Sequence, residues 1–342
     1  MRVAVYYGNN DIRLEERPRP KIGDGELLVR IEASGICGTD CLEWYRMERV
    51  PLILGHEIAG TVVETGNGVK VFKAGDRISA SHHVPCGECR FCLAGHETVC
   101  DTLRKTNFDP GGFSEFVRIP KINVEKGTYL IPNNVTFEEA TFIEPLACVL
   151  RGQRLAGLRK GGTVLVIGSG ISGLLHIQLA KLSGAKRIIA TDIADSRLRA
   201  AEKFGADHAL DAGDLTPGKL KSLNEGYLAD YAIICAGGTS AFEQGLKSVE
   251  RGGTVLIFAA ADKDARLPVP INDIFWRNEV TVTSSYAGSP KDHREALEKI
   301  ASHKLNVYDM ISHRFGLKDT GAGFKLVAEA KDSIKVIIKP QE

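Results

Sequence analysis

The sequence predicts a two-domain α/β protein in which a β-rich domain is interrupted by a parallel α/β domain and completed by the C-terminal segment. Three observations carry this. The chain has 342 residues, more than one simple core accommodates and suited to two. Residues 1–140 are short alternating runs separated by Gly, Pro and Asn/Asp. From about residue 143, buried-type strands alternate with amphipathic helices, the signature of a parallel sheet covered on both faces.

Taken in order, "GELLVRIEAS" and "EIAGTVVETG" read as half-buried strands of the first domain. "GGTVLVIGSG" is a buried strand that ends in glycines, and "ISGLLHIQLAKLSGA" carries apolar residues at helical spacing. "RIIATD" is the next strand and "SRLRAAEKFGA" the next helix; "YAIICAGG", "TSAFEQGLKSV" and "GGTVLIFAA" repeat the alternation. After "EVTVTSSYAG", the segments "PKDHREALEKIASHKL" and "GLKDTGAGFKLVAEAKD" are helices and "SIKVIIKP" a last strand. The expected divisions are residues 1–143, 144–280 and 281–342.

Composition narrows the function classes. Lys+Arg 44 against Asp+Glu 43 leaves a net charge of +1, with no electrostatic footprint for nucleic acid or an anionic membrane. No apolar run reaches the roughly 18 residues that span a bilayer. The N-terminus turns charged too early for a signal peptide. A cytoplasmic protein is expected, and in a reducing compartment clustered cysteines favour metal over disulfide.

Gly168-Ser169-Gly170-Ile171-Ser172-Gly173 matches G-x-G-x-x-G, between a β-branched strand and a helix. A second strand ends at Asp192, 24 residues after Gly168. Gly168 suits a tight turn, Gly170 the approach of a pyrophosphate to the helix N-terminus, and Gly173 close helix–strand packing. The Asp192 carboxylate accepts from adenosine ribose hydroxyls and repels a 2′-phosphate, which favours NAD over NADP. Arg197 is a candidate for the adenosine end or a solvated helix residue.

Residues 85–100, "PCGECRFCLAGHETVC", hold Cys86, Cys89, Cys92 and Cys100. Four thiolates close a tetrahedral zinc shell and leave no position for substrate, so this ion is structural; free buried cysteines are the alternative. A catalytic zinc needs an open position and mixed ligands. "GICGTD" offers Cys37, "LILGHEIAG" offers His56 and Glu57, and "FIEPLACVL" places the acid Glu144 between apolar runs, where burial demands a partner.

With these motifs in this order, the chain resembles the zinc-dependent medium-chain dehydrogenase/reductase family over essentially its whole length, most of all its sorbitol (polyol) and threonine dehydrogenase branches. The resemblance rests on "GICGTD", "GHEIAG", the four-cysteine run, "EPLA", and "GSGISG" followed by Asp192. It implies a GroES-like catalytic domain with an inserted Rossmann domain and the active site in the cleft between them. It also implies a catalytic zinc on Cys37, His56 and Glu144, with Glu57 a ligand or an exchanging neighbour. Cys86, Cys89, Cys92 and Cys100 match the family's structural-zinc lobe, so two zinc ions per chain are expected.

The activity so implied is NAD-dependent oxidation of a secondary alcohol, a polyol or a related hydroxyl-rich small molecule, to a ketone. Zinc acidifies the alcohol and the nicotinamide takes the hydride. Thr39 matches the hydroxyl residue that accepts the alcohol proton. The histidine that continues this relay in relatives is Leu42 here, so water or a carboxylate such as Glu57 replaces it. His82, His83 and Tyr286 occupy positions that line the substrate pocket in relatives, although Ser285 stands where the polyol branch has an arginine. Trp44 and Tyr45 either wall the pocket or belong to the core. Threonine 3-dehydrogenase activity is the enzymatic alternative, and an NAD-binding sensor without catalysis the non-enzymatic one. Relatives form homodimers or homotetramers, and "EVTVTSSY" is a candidate edge for such an assembly.

Overall fold

The alternating runs of the first domain fold as antiparallel strands because one face of each is apolar. A hairpin pairs β1 (Arg2–Gly8) with β2 (Asp11–Glu16). There follow β3 (Leu27–Gly35), β4 (Glu57–Thr65), β5 (Arg77–Ser81), β6 (Phe116–Ile119) and β7 (Thr128–Leu130). Leu27, Val29 and Ile31 of β3 meet Ile58, Val62, Ile78, Val117 and Ile119 in one buried cluster. In the computed structural model, which describes every residue except Lys331, two units are resolved: 1–147 with 287–342, and 148–286.

The second unit is the α/β part. Its strands β8 (Thr163–Ile167), β9 (Arg187–Asp192), β10 (His208–Asp211), β11 (Ala229–Ile234), β12 (Val249–Ile257) and β13 (Thr281–Ser284) lie in the order β10-β9-β8-β11-β12-β13. All pairings are parallel. This is the doubly wound order, with its switch point between β8 and β11, where nucleotide-binding sheets take their ligand. All five β8 residues are buried, as a strand covered on both faces requires. Leu165, Ile167, Ile189 and Ile234 pack with Phe242 and Leu246 of the helix Thr239–Ser248.

The chain then returns to the first unit with β14 (Ile311–Gly316) and β15 (Lys335–Lys339). These extend the first sheet to the order β14-β15-β3-β4-β5-β7, with β6 also on β3. The return is thus a structural part of the first sheet, since Ile337 pairs with Gly35 and Ile338 with Ser34.

The division between units falls at 147/148 and 286/287. The helix Ile143–Leu155 runs through the first of these points. A continuous helix carries no linker composition, and so the sequence offers no marker there. No helix among the described residues is long and apolar enough to cross a membrane.

Candidate active site

The register of the first sheet assembles the site. Glu57 pairs with Gly35 on β3 and with Ser81 on β5. Three neighbouring strands therefore end at one level. The residues just beyond them are Cys37, His56 and His82, from three separate stretches of chain. One Cys37 sulfur, one His56 nitrogen and one Glu57 oxygen lie within 4.8 Å of one another. This mixed S/N/O set fits a zinc ion with a coordination position left for a small ligand. Glu144 does not join the three at that spacing; it is the second residue of the helix Ile143–Leu155 in the same unit, partly exposed.

Asp40, fully buried, organises the set. It accepts the Cys37 backbone N–H at 3.2 Å and lies 3.3 Å from both His56 Nδ1 and an Arg46 nitrogen. A proton on Nδ1 facing this carboxylate leaves Nε2 as the ligand atom, the arrangement that orients metal-binding histidines. Burial would raise the Asp40 pKa, but His56 and Arg46 hold it below the ordinary carboxylate range. Burial would lower His56, but Asp40 and the Cys37 sulfur hold it well above its usual value. The Thr39 hydroxyl donates to Cys37 Sγ at 3.3 Å, at the position expected of the first proton acceptor.

Glu57 is not free to serve a relay. It is buried and ion-paired with Lys335, itself buried on β15 and stacked over the Phe142 ring. Lys335 comes within reach because β15 runs antiparallel beside β3.

His82 and His83 lie beside His56. The His82 ring centroid is 4.7 Å from that of His56 and 3.8 Å from that of His83. His83 Nδ1 sits 3.0 Å from the Thr106 carbonyl. Burial, then the neighbouring His83 and His56, push His82 well below the usual imidazole range, and burial takes His83 down to about 4. Both rings are neutral at physiological pH. Trp44 and Tyr45 are surface residues, 39% and 41% exposed, so neither belongs to the core. Tyr286, 47% exposed, closes the second unit after β13.

The four-cysteine lobe has the dimensions of a metal shell. Its sulfurs are separated by 3.5 Å (Cys89–Cys92), 3.6 Å (Cys100–Cys86) and 3.9 Å (Cys86–Cys92). A tetrahedron with Zn–S bonds of about 2.3 Å has edges of about 3.8 Å. All four cysteines are free thiols, too far apart for disulfides. Burial opposes ionisation of Cys100, but the N–H groups of Cys86 and Leu103 take its thiol down to about 6.

In the second unit the glycine turn fits a dinucleotide. Gly168 has φ +94°, a left-handed conformation that glycine adopts without strain, and a Cβ on Gly173 would collide with the Gly168 carbonyl. The helix Ile171–Leu182 starts at Gly170 without a side-chain cap, which leaves its first N–H groups to an anion. Asp192 accepts from the N–H of Ser169 (2.7 Å), Ile193 (2.8 Å) and Ala194 (3.1 Å). It therefore ties the turn to the end of β9 as well as presenting a carboxylate. Arg197 lies 3.9 Å from Asp192, beside the face that a Gly170 Cβ would occupy.

Asp40, Arg46, Lys335 and Ile193 are the residues that sequence reading missed. Asp40 carried a signal, three residues after Cys37, where a carboxylate reaches back to the preceding backbone N–H. Lys335 carried none, being 278 residues from its partner. Ile193 is 85% exposed beside Asp192, an apolar surface suited to a flat base.

Two family models match the chain: the alcohol dehydrogenase GroES-like domain over residues 23–130 and the zinc-binding dehydrogenase domain over residues 170–302. The mouse sorbitol dehydrogenase is 32% identical over 346 residues, covering 98% of this chain and 94% of that protein. An alcohol dehydrogenase of Geobacillus stearothermophilus is 33% identical over 342 residues, covering 97% and 96%. Among solved structures, a zinc-binding dehydrogenase homologue from Sinorhizobium meliloti 1021, bound to NADP, superposes with a TM-score of 0.88 at 30% identity, covering 99% of each chain. The galactitol-1-phosphate dehydrogenase of Escherichia coli gives 0.87 at 27% identity, covering 99% and 100%.

Proposed function

The chain belongs to the zinc-dependent medium-chain dehydrogenase/reductase family, and we propose that it oxidises a polyol-type secondary alcohol to a ketone with NAD as hydride acceptor. The observation that carries this is the Cys37–His56–Glu57 set, mixed and unsaturated, at the ends of β3 and β4. The closed four-sulfur lobe in the same unit offers no such position.

When bound, zinc supplies the Lewis acidity that lowers the pKa of an alcohol hydroxyl, and the nicotinamide supplies the hydride acceptor. Cys37, His56 and Glu57 would hold the metal, and Asp40 fixes the His56 ring. Glu57, anchored by Lys335, would stay outside the proton path. Thr39 takes the alcohol proton at its hydroxyl oxygen. With Leu42 at the fifth position after Cys37, where relatives carry a histidine, water carries the proton onward. His82 and His83, neutral and partly buried, present hydrogen-bonding edges to substrate hydroxyls. Glu144, outside the three-residue set, would meet the metal through a water.

Asp192 supports NAD over NADP, since its carboxylate repels a 2′-phosphate and its backbone anchoring keeps it from turning away. We assign a homo-oligomer paired along β13, the exposed edge of the second sheet, where Trp276 (67%) and Ile271 (69%) lie nearby. The unpaired thiols of the lobe suit the reducing cytoplasm.

The deciding experiment incubates zinc-loaded protein with sorbitol, 2,3-butanediol, galactitol 1-phosphate and threonine, each with NAD and with NADP. NADH formation from a polyol or diol is expected. No reduced nucleotide from any alcohol would overturn the proposal, and turnover with threonine alone would replace the substrate class.

A further inference from the structure

The histidine pair beside the metal ligands is held from behind by a short helix that the reaction does not use. This is Lys121–Gly127, which packs under the segment where β5 leaves the sheet. Its Asn123 is fully buried. Asn123 Nδ2 donates to the carbonyls of Ser81 and His82, both at 2.9 Å. Those carbonyls flank the peptide that sets the direction of the His82 side chain.

The rest of the segment is fixed in the same manner. The Ser81 hydroxyl donates to the His83 carbonyl at 2.8 Å, and the Val84 N–H donates to the Thr106 hydroxyl at 3.0 Å. Lys126, one turn beyond Asn123, donates to the Cys86 carbonyl at the entry to the four-cysteine lobe. Asn123 is itself fixed, because the Thr128 hydroxyl donates to its carbonyl at 2.9 Å. Gly127 permits this approach: a Cβ there would stand 3.3 Å from Ser81 Cβ and collide with Val84.

A buried amide with both donors committed to two successive carbonyls is a costly arrangement unless it fixes something, because its own Oδ1 finds no partner among the described residues. What it fixes is the peptide carrying a ring that touches His56. We propose that Asn123 is a positioning residue for the reaction, setting the placement of His82 and His83 against the substrate. This rests on the assignment of those histidines to the substrate side. The helix clasps Ser81, His82 and Cys86 together, so the histidines and the lobe form one framework.

The test compares zinc-loaded parent protein with Asn123→Ala and Asn123→Ser, using whichever of sorbitol and 2,3-butanediol the parent oxidises faster. Misplacing a substrate group by about 1 Å costs up to about 100-fold. Asn123→Ala should therefore lower kcat/KM for the alcohol by at least about tenfold, while KM for NAD stays within about twofold. Its imidazole ¹⁵N resonances of His82 and His83 should move, those of His313 should not, and Asn123→Ser, which keeps one donor, should fall between. Alcohol kinetics and imidazole resonances at parental values would overturn the proposal. So would equal losses toward alcohol and NAD, the mark of a merely structural residue. If the alanine variant does not fold, the serine variant is read by the same criteria. A parent inactive toward every alcohol would count against the proposed function, whereas the resonances test Asn123 independently of any substrate.

Discussion

Asp40 illustrates how much one buried carboxylate sets. It accepts the Cys37 N–H, faces His56 Nδ1 and pairs with Arg46, so three groups around the metal position share one anchor. Asp40→Asn should weaken zinc binding by about 10–100-fold, since removing such an outer partner loosens the ligand ring. Competition with a chromophoric chelator measures this, and unchanged affinity would show that His56 is oriented by other contacts. Asp192 has a comparable double role, as three backbone N–H groups depend on it and the proposed ribose contact would use the same carboxylate. Asp192→Ala should raise KM for NAD, narrow the preference over NADP, and cost about 1–3 kcal/mol of stability for the stranded donors. Steady-state kinetics with both nucleotides and urea unfolding would show it. The double role of Asp192 was only half legible, because a motif names the ligand contact and not the backbone that the same oxygens hold.

At the scale of elements, the four-cysteine lobe and the glycine-turn helix make separate predictions. The lobe has few apolar residues of its own, with Leu93 78% exposed at its surface, so a bound metal would be its main source of order. Cys92→Ser should lower Tm and remove one zinc per chain, with a smaller effect on the chemical step; scanning calorimetry and metal analysis check both. The helix Ile171–Leu182 buries His176 completely, with Nδ1 3.2 Å from Gln153 Nε2. Burial takes His176 from 6.5 down to about 3. The folded state then binds fewer protons than the unfolded chain between these values. Its stabilising contribution is full above pH 6.5 and is lost as pH falls toward 3. His176→Gln should flatten the fall of Tm on acidification below pH 6.5 by up to about one proton per molecule, and parallel curves would refute a neutral buried ring. The helix itself was evident from its spacing of apolar residues. The helix Ile143–Leu155 was not, because Glu144 and Arg151 interrupt its apolar positions and its ends lie in different units.

For the whole molecule, the candidate metal ligands and the glycine turn lie in separate units. Cys37→Ser should abolish turnover while fluorescence titration shows NADH binding close to parental, since no residue of the glycine turn belongs to the first unit. Coupled loss of both would argue against that division of labour. The sequence by itself determined the class of the fold, the glycine turn with Asp192, and the four-cysteine lobe. Each of these is written in residues close together in the chain, where backbone geometry and ligand spacing act locally. The tertiary structure alone decided how the candidate ligands come together and what holds them. Cys37, His56 and His82 meet because Gly35, Glu57 and Ser81 share one register across three strands. Lys335 reaches Glu57 because the last strand lies beside β3. Register follows from the pattern of burial over whole strands and from the long return of the chain. It has no local signature, so the ion pair at Glu57 became visible only in the folded protein.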